Sequence, residues 1–122
     1  MTDREKERIL VVEFDRYKNT GHIHPYDESK GYTYRKEGVL GEICAEKMRY
    51  DVSWEWLMPV VEKIESITLP GDMVAVRVNI RGTVCEIFNG RWQEKSIAYE
   101  DDKLKSTFKA VVAFIKMCKQ TV

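Results

Sequence analysis

The side chains of this chain that could do chemistry are two histidines, three cysteines and a group of aromatic and basic residues. His22 and His24 would lie on one side of an extended segment, where they could supply two metal ligands. Zinc sites usually have three or four protein ligands, and no second group of cysteines or histidines lies nearby in the sequence. We therefore expect two loop histidines here and no metal site.

The three cysteines, Cys44, Cys85 and Cys118, do not indicate nucleophilic catalysis. Cys85 falls in a strand pattern and Cys118 on an apolar helix face, where a thiol usually packs and stays unreactive. Cys44 has no catalytic signature around it. Gly82 and Gly90 belong to predicted hairpin turns and not to a phosphate-binding loop. We therefore expect neither enzyme activity nor a bound cofactor.

Residues 22–36 combine aromatic and basic side chains, which favours binding over catalysis. Rings of this kind stack on planar ligands, and arginines neutralise anions. Trp92 is flanked by Arg91 and Lys95 in a similar way, and Arg77 interrupts an apolar segment. The candidate ligand-binding residues are Tyr32, Tyr34, Arg35, Arg77, Arg91 and Trp92. The alternative is that the tyrosines cover the core and that the charges are ordinary solvated surface.

The composition is that of one soluble globular domain. The chain has 122 residues, of which 43% are hydrophobic and 33% are charged, so we expect a single α+β domain over residues 1–122. Because the 20 basic and 20 acidic residues cancel, long nucleic acid is not an expected partner. The apolar runs are shorter than the roughly 20 residues that span a bilayer. The charged N-terminus and the odd number of cysteines favour a cytoplasmic location without a membrane partner.

The N-terminal third has the least regular pattern. Residues 3–17 have helical spacing, although the run 9–12 also fits a short buried strand. The apolar face of this helix would consist of Ile9, Leu10, Phe14 and Tyr17. Residues 18–38 are predicted to form a long loop, in which 32–34 could be a strand that pairs with 39–43.

Residues 54–65 are predicted to form an amphipathic helix. Ser53 is a favourable N-cap because its hydroxyl can accept a hydrogen bond from a free amide of the first turn. The core face would consist of Trp54, Leu57, Met58, Val61 and Ile64. Pro59 lies beyond the first turn and costs roughly 3 kcal/mol there, so we expect a kink between Glu55 and Pro59. Trp56 would lie toward the edge of the apolar stripe.

Three strands at 73–80, 83–88 and 92–99 are predicted to form an antiparallel meander. The first strand alternates strictly and would bury Val74, Val76, Val78 and Ile80. Arg81-Gly82 and Asn89-Gly90 would form the two hairpin turns, and both residues of the second pair tolerate positive φ.

A last helix is predicted over 103–119, capped by Asp101 or Asp102. Its buried face would consist of Leu104, Phe108, Val111, Val112, Ile115 and Cys118. The predicted fold is α+β, with about three helices packed on an antiparallel meander sheet of three to four strands.

The segments SWEWLMPVVEKIE and KAVVAFIKMC resemble a group of small uncharacterised phage and prophage proteins of Bacteroides-like hosts. The order of elements is also similar to that of the phage ABA sandwich domain family. The resemblance covers approximately residues 45–120 and is specific at Ser53 to Glu65 and at Ala110 to Lys116. That family has no established catalytic residues. The resemblance implies a virus-borne accessory protein inside a bacterium, and small phage proteins of this kind often counter host defence.

Two functional hypotheses follow. The first is a non-enzymatic counter-defence protein that binds and sequesters a small anionic ligand, such as a cyclic nucleotide or another nucleotide immune signal. The second is a protein–protein inhibitor or assembly module without a small-molecule site, anchored by an exposed Trp56. A homodimer is also expected, because neither outer strand of the meander carries a proline or a dense row of lysines that would block edge pairing.

Overall fold

The computed structural model describes residues 3–15, 17–23, 32–36, 43–44 and 48–120, with only the backbone given at 17–23, 32–33, 43–44 and 120. The chain divides into two compact units, Met1–Arg49 and Tyr50–Val122. The single domain expected from the chain length stays a prediction. Among the described residues, no helix is long and apolar enough to cross a membrane.

Where the structure describes it, the first unit contains one helix and a three-stranded antiparallel sheet in the order β1-β2-β3. Its described elements are α1 (Asp3–Phe14), β1 (Tyr17–Ile23), β2 (Tyr32–Lys36) and β3 (Ile43–Cys44). The predicted helix therefore ends earlier than expected, and the strand alternative for residues 9–12 is wrong. The fully buried residues of α1 are Val11 and Val12, whereas Ile9, Leu10 and Phe14 are half-buried. Four consecutive apolar residues do not specify by spacing which of them faces inward.

The long loop predicted for residues 18–38 is wrong, because this range contains most of β1 and all of β2, of which only a strand at 32–34 was foreseen. β1 pairs with β2 through partners that include Asn19 opposite Tyr34. The predicted pairing of residues 32–34 with a strand at 39–43 is confirmed at Ile43, which lies opposite Tyr34, and β3 continues to Cys44; residues 39–42 lie outside the described part. The sequence concealed β1 because residues 18–22 are polar or glycine and show no alternating apolar pattern.

The second unit begins its regular structure with α2 (Trp54–Glu65), at the predicted bounds. Its buried residues are Leu57, Val60, Val61 and Ile64. The predicted core face is confirmed at Leu57, Val61 and Ile64, while Trp54 and Met58 are half-buried, and it missed Val60. Pro59 lies exposed within the helix; the kink expected there stays a prediction.

Ser53 begins α2 without the predicted side-chain cap. Its backbone is extended, with φ −142° and ψ 123°, and its hydroxyl makes no capping hydrogen bond. The Ser53 carbonyl instead accepts hydrogen bonds from the amides of Trp56, at 3.2 Å, and Leu57, at 3.1 Å. The first turn is therefore closed by backbone bonds.

The predicted meander is confirmed as an antiparallel sheet in the order β4-β5-β6. The strands are β4 (Arg77–Arg81), β5 (Val84–Phe88) and β6 (Glu94–Tyr99). The turn of Gly82 and Thr83 joins β4 to β5, and Gly82 has a positive φ of 53°.

β4 begins four residues later than predicted. Residues 73–76 lie outside the ladder because β5 ends at Phe88, which is the partner of Arg77. The Val76 amide donates instead to the Ile67 carbonyl at 2.7 Å. Val76 is buried, but Val74 is 48% exposed, which corrects the expectation that Val74 faces the core.

α3 (Lys103–Gln120) packs against β5 and β6. Asp102 caps it as predicted, because its Oδ1 accepts the Lys105 amide at 2.7 Å. The predicted buried face is confirmed at Phe108, Val111, Val112 and Ile115, while Leu104 and Cys118 are half-buried. The Ser96 hydroxyl of β6 donates to the Ala110 carbonyl at 3.0 Å and so joins the helix to the sheet. The described ranges contain three helices and antiparallel strands, which confirms the α+β fold class.

Candidate functional site

The turn between β5 and β6, residues 89–93, is organised around a buried amide. Asn89 is 1% exposed, and its Oδ1 accepts the backbone amides of Arg91, at 2.9 Å, and Gln93, at 2.8 Å. Its Nδ2 donates to Gln93 Oε1 at 2.8 Å. These three bonds use one side chain to fix the whole turn, which we call the β5–β6 turn.

Trp92 adopts a left-handed backbone conformation in this turn, with φ 61°. Its amide donates to the Asn89 carbonyl at 3.1 Å, and the Asn89 amide donates to the Gln93 carbonyl at 2.9 Å. This is a three-residue hairpin connection in which the left-handed position usually holds glycine. A side chain at such a position costs roughly 1–2 kcal/mol. The expectation that Asn89 and Gly90 carry the positive φ is wrong, since Trp92 carries it.

Residues 72–77, which precede and enter β4, are held against the β5–β6 turn. Asp72 Oδ1 pairs with Arg91 Nε at 2.7 Å, and Asp72 Oδ2 accepts the Gly90 amide at 3.2 Å. The Asp72 side chain is 1% exposed and that of Arg91 is 59% exposed. A Cβ atom at Gly90 would collide with the Val74 carbonyl oxygen. Glycine is therefore required at position 90 by the close approach of two backbones.

The side chain of Trp92 stacks on Arg77. The guanidinium carbon of Arg77 lies 4.1 Å from the centroid of the Trp92 ring. Phe88, directly opposite Arg77 in the ladder, contacts the same ring at a centroid distance of 5.7 Å and a tilt of 57°. Trp92 nevertheless remains 60% exposed. The turn thus presents a large aromatic side chain to solvent from a rigid support.

Arg77 is half-buried and its Nε atom is fully buried. Within the part of the chain that the structure describes, this Nε has no hydrogen-bond partner. An unpartnered buried donor is costly, so the stack with Trp92 and the packing of the side chain must hold Arg77 in place. The side chain of Arg77 lies on one face of β4, and those of Val78 and Ile80 lie on the other face, as the alternation predicted.

The six candidate ligand-binding residues are divided between the two units. The second unit brings Arg77, Arg91 and Trp92 together. In the first unit, Arg35 is exposed, and the side chain of Tyr32 lies outside the described part. Tyr34 is only 4% exposed, so it offers no free ring face for stacking, contrary to expectation. Burial raises the pKa of Tyr34, and the nearby Glu13 carboxylate adds to this effect.

The surroundings of Arg91 and Trp56 also differ from those expected. Arg91 is already paired with the Asp72 carboxylate, so its charge is partly neutralised before any ligand binds. Trp56 is half-buried and contacts the ring of buried Tyr50 edge-on, at a centroid distance of 5.2 Å and an interplanar angle of 80°. The exposed Trp56 anchor on which the protein–protein hypothesis rested is therefore not found.

The surroundings of the cysteines and of the potential metal ligands are as follows. Cys85 is buried, and burial raises the pKa of its thiol to about 11, although a hydrogen bond with Thr107 acts in the opposite direction. Burial also raises the pKa of half-buried Cys118. Cys44 has only its backbone described, and His24 lies outside the described residues. Across the described residues there is no group of three or more potential metal ligands.

Sequence reasoning missed the residues that support this site, namely Asp72, Val74, Phe88 and Asn89. Asp72 follows Pro70-Gly71, a pair typical of turns, so its sequence context indicates a turn and gives no sign of a contact with a distant segment. The Asn-Gly pair did mark the β5–β6 turn, but not the role of its buried amide. Met73, which is 97% exposed, and Val74 extend the apolar surface beside the turn.

Comparison of this chain with protein-family models, with curated proteins and with solved structures finds no match.

Proposed function

We propose that this protein is a non-enzymatic binding protein whose β5–β6 turn captures a small planar anion such as a nucleotide. The observation that carries this proposal is Trp92, a large exposed ring held at φ 61° and stacked on Arg77. Backbone strain of this kind concentrates at functional sites. Glycine at position 92 would relieve the strain but would lack the ring. We therefore attribute the strained conformation to a role of the tryptophan ring.

An exposed tryptophan on a fixed turn is well suited to stack on a nucleobase. Such stacking contributes about 1–3 kcal/mol per base and needs little reorganisation when the ring is already held in place. Asn89 and Asp72 supply that rigidity, since both are nearly inaccessible to solvent and hydrogen-bonded to the turn. The surface is therefore preorganised for a flat ligand.

Arg91 provides the positive charge closest in sequence to Trp92. Among the described residues its side chain pairs only with Asp72, through Nε. Its two terminal Nη groups have no partner there, and the side chain is 59% exposed. Arginine nitrogens recognise phosphate oxygens well because they donate in a planar fork. A base on Trp92 and a phosphate on Arg91 is the binding mode that these residues support.

Sequestration, not turnover, is part of this proposal. The raised pKa of Cys85 keeps that thiol protonated near neutral pH, and a protonated thiol is a poor nucleophile. The resemblance at Ser53 to Glu65 and at Ala110 to Lys116 supports a phage-type counter-defence protein in the bacterial cytoplasm. A nucleotide immune signal would then be the sequestered ligand.

Titration calorimetry against a panel of cyclic and linear nucleotides tests this function. We expect at least one nucleotide to bind more tightly than high micromolar and to be recovered intact after the complex is heated. A panel without any such binder would contradict the binding function. Recovery of a hydrolysed product would contradict sequestration.

A second candidate function is a protein–protein module that docks through the same end of the sheet. Met73, Val74 and Trp92 are 97%, 48% and 60% exposed and lie on adjoining segments. Tryptophan and methionine are enriched in protein interfaces. Met73→Ser separates the two functions. It should leave nucleotide affinity unchanged if Trp92 binds a small ligand, and it should weaken partner binding if the patch docks a protein.

We also propose that the protein forms a homodimer, because β4 and β6 are the outer strands of their sheet and neither contains proline. Light scattering at micromolar concentration checks this. A mass near 14.3 kDa would contradict it, and a mass twice as large would support it.

A further inference from the structure

The two faces of the Trp92 ring are not equivalent. Arg77 covers one face, with its guanidinium carbon 4.1 Å from the ring centroid. Phe88 also contacts the ring, but Trp92 is still 60% exposed, so a large part of the ring that Arg77 does not cover is open to solvent. A ligand that stacks on Trp92 must therefore use the face opposite a permanent positive charge.

The charge of Arg77 is not cancelled by a carboxylate within the described part of the chain. Arg91 pairs with Asp72, and Arg81 pairs with Glu86. No ion pair involves Arg77 among the described residues, and its buried Nε has no hydrogen-bond partner there. Its field at the Trp92 ring is therefore stronger than that of an arginine already neutralised by an acid.

A cation on one face of an aromatic ring changes what the other face attracts. A free tryptophan face has a negative potential and binds cations such as quaternary ammonium groups. The guanidinium group opposes this potential and repels a second cation through the ring. The remaining face is then more favourable for neutral, electron-rich rings and for rings that carry an anionic group.

We infer that Arg77 is a specificity-determining residue, which makes the free face of Trp92 select a neutral purine ring with a phosphate and reject cationic planar groups. This inference rests on the proposed nucleotide-binding function, since it names the class of ring that the same site accepts. The role belongs to the charge of Arg77, because an apolar side chain of similar length could support Trp92 equally well.

A pair of ligands that differ mainly in ring charge tests the inference. Guanosine monophosphate has a neutral base, and N7-methylguanosine monophosphate has a cationic one with the same phosphate. We expect the wild-type protein to prefer the unmethylated ligand, and Arg77→Met to shift the affinity ratio toward the methylated ligand by about threefold or more, as expected for a cation–π contribution. Arg81→Met is the matched control, since it removes an exposed arginine of the same strand, and it should leave the ratio unchanged. An unchanged ratio in Arg77→Met would overturn the inference.

A measurement without nucleotide separates this inference from the proposed function. The fluorescence of Trp92 is obtained by subtracting the signal of the Trp92→Phe protein from that of the wild type, and its quenching by iodide and by caesium is then measured. We expect iodide to quench Trp92 more strongly than caesium in the wild type, and this preference to fall in Arg77→Met but not in Arg81→Met. If no nucleotide binds but the preference depends on Arg77, the proposed function fails and the selectivity of the ring face stands. An iodide preference of the same size in the wild type and in Arg77→Met would overturn the inference.

Discussion

The guanidinium carbon of Arg77 lies 4.1 Å from the centroid of the Trp92 ring, although the two residues enter the site from different segments. Arg77 is the first residue of β4, whereas Trp92 lies within the β5–β6 turn in a left-handed conformation. Asp72 joins these segments by binding both Arg91 and Gly90. The stack therefore reports whether the two segments are correctly held together.

Replacement of Trp92 by glycine and by alanine measures the strain at this position. Both changes remove the ring and its stack with Arg77, but only glycine adopts a φ of 61° without steric cost. We expect Trp92→Gly to be more stable than Trp92→Ala by about 1 kcal/mol, measured by urea unfolding. Equal stabilities would show that the backbone at position 92 is not strained.

Gly90→Ala should disrupt the site by steric collision with the Val74 carbonyl oxygen. We expect a loss of about 1–3 kcal/mol in the free energy of unfolding, because the backbones cannot separate without breaking the Asp72 contacts. Gly82→Ala is the control, since Gly82 has φ 53° but nothing within 4 Å of an added Cβ. Only Gly90→Ala should also change the Trp92 fluorescence. Gly82→Ala should itself lose about 1–2 kcal/mol through its positive φ, so the two are distinguished by fluorescence: a change of equal size in the Trp92 fluorescence of Gly82→Ala would contradict the close-approach explanation.

A double-mutant cycle with Asp72→Ala and Arg91→Ala measures the coupling across the two segments. We expect about 1 kcal/mol, since the Asp72 side chain is buried while solvent screens the exposed part of Arg91. Asp72→Ala alone should be more destabilising than Arg91→Ala, because it also leaves the Gly90 amide without its acceptor. Additive effects of the two substitutions would show that the pair does not stabilise the turn.

The stability of the protein should fall in alkaline solution because of Cys85. Burial raises the pKa of this thiol from 9.0 to about 11, so the unfolded chain loses the proton first as the pH rises. The contribution of Cys85 is present below pH 9.0 and is lost as the pH rises toward about 11. Urea unfolding of the wild type between pH 8 and pH 10.5 should show a steeper decline than that of Cys85→Ala. Parallel curves for the two proteins would exclude this linkage.

Local patterns predicted the second half of the fold well. α2 has its predicted bounds because its apolar residues recur at helical spacing, and Asp102 caps α3 because its carboxylate is close in sequence to the amide it accepts. The meander follows from three apolar segments separated by short turns. Each of these features is specified by residues only a few positions apart.

The features that the sequence did not predict depend on long-range contacts. β1 has no alternating apolar pattern, and its position is set by pairing with β2. β4 starts later than predicted because Asp72 and Val74 are held against the β5–β6 turn. Asp72 and Gly90, which form one of these contacts, are eighteen residues apart in the sequence. The positive φ of Trp92 could not be predicted, since Asn89 and Gly90 are the residues that usually adopt it. Arg77 and Trp92 were both candidates, but their stacking follows only from these contacts.

The most direct test of the account is the shift of the Trp92 indole N–H signal during nucleotide titration of ¹⁵N-labelled protein. The signal is assigned by its loss in Trp92→Phe, and the indole signals of Trp54 and Trp56 serve as internal controls. We predict that a nucleotide that binds will shift the Trp92 signal most, and that Trp92→Gly, in which the turn is retained, will lose the affinity. Binding that leaves the Trp92 signal unmoved, or that persists unchanged in Trp92→Gly, would contradict a ligand site at the β5–β6 turn.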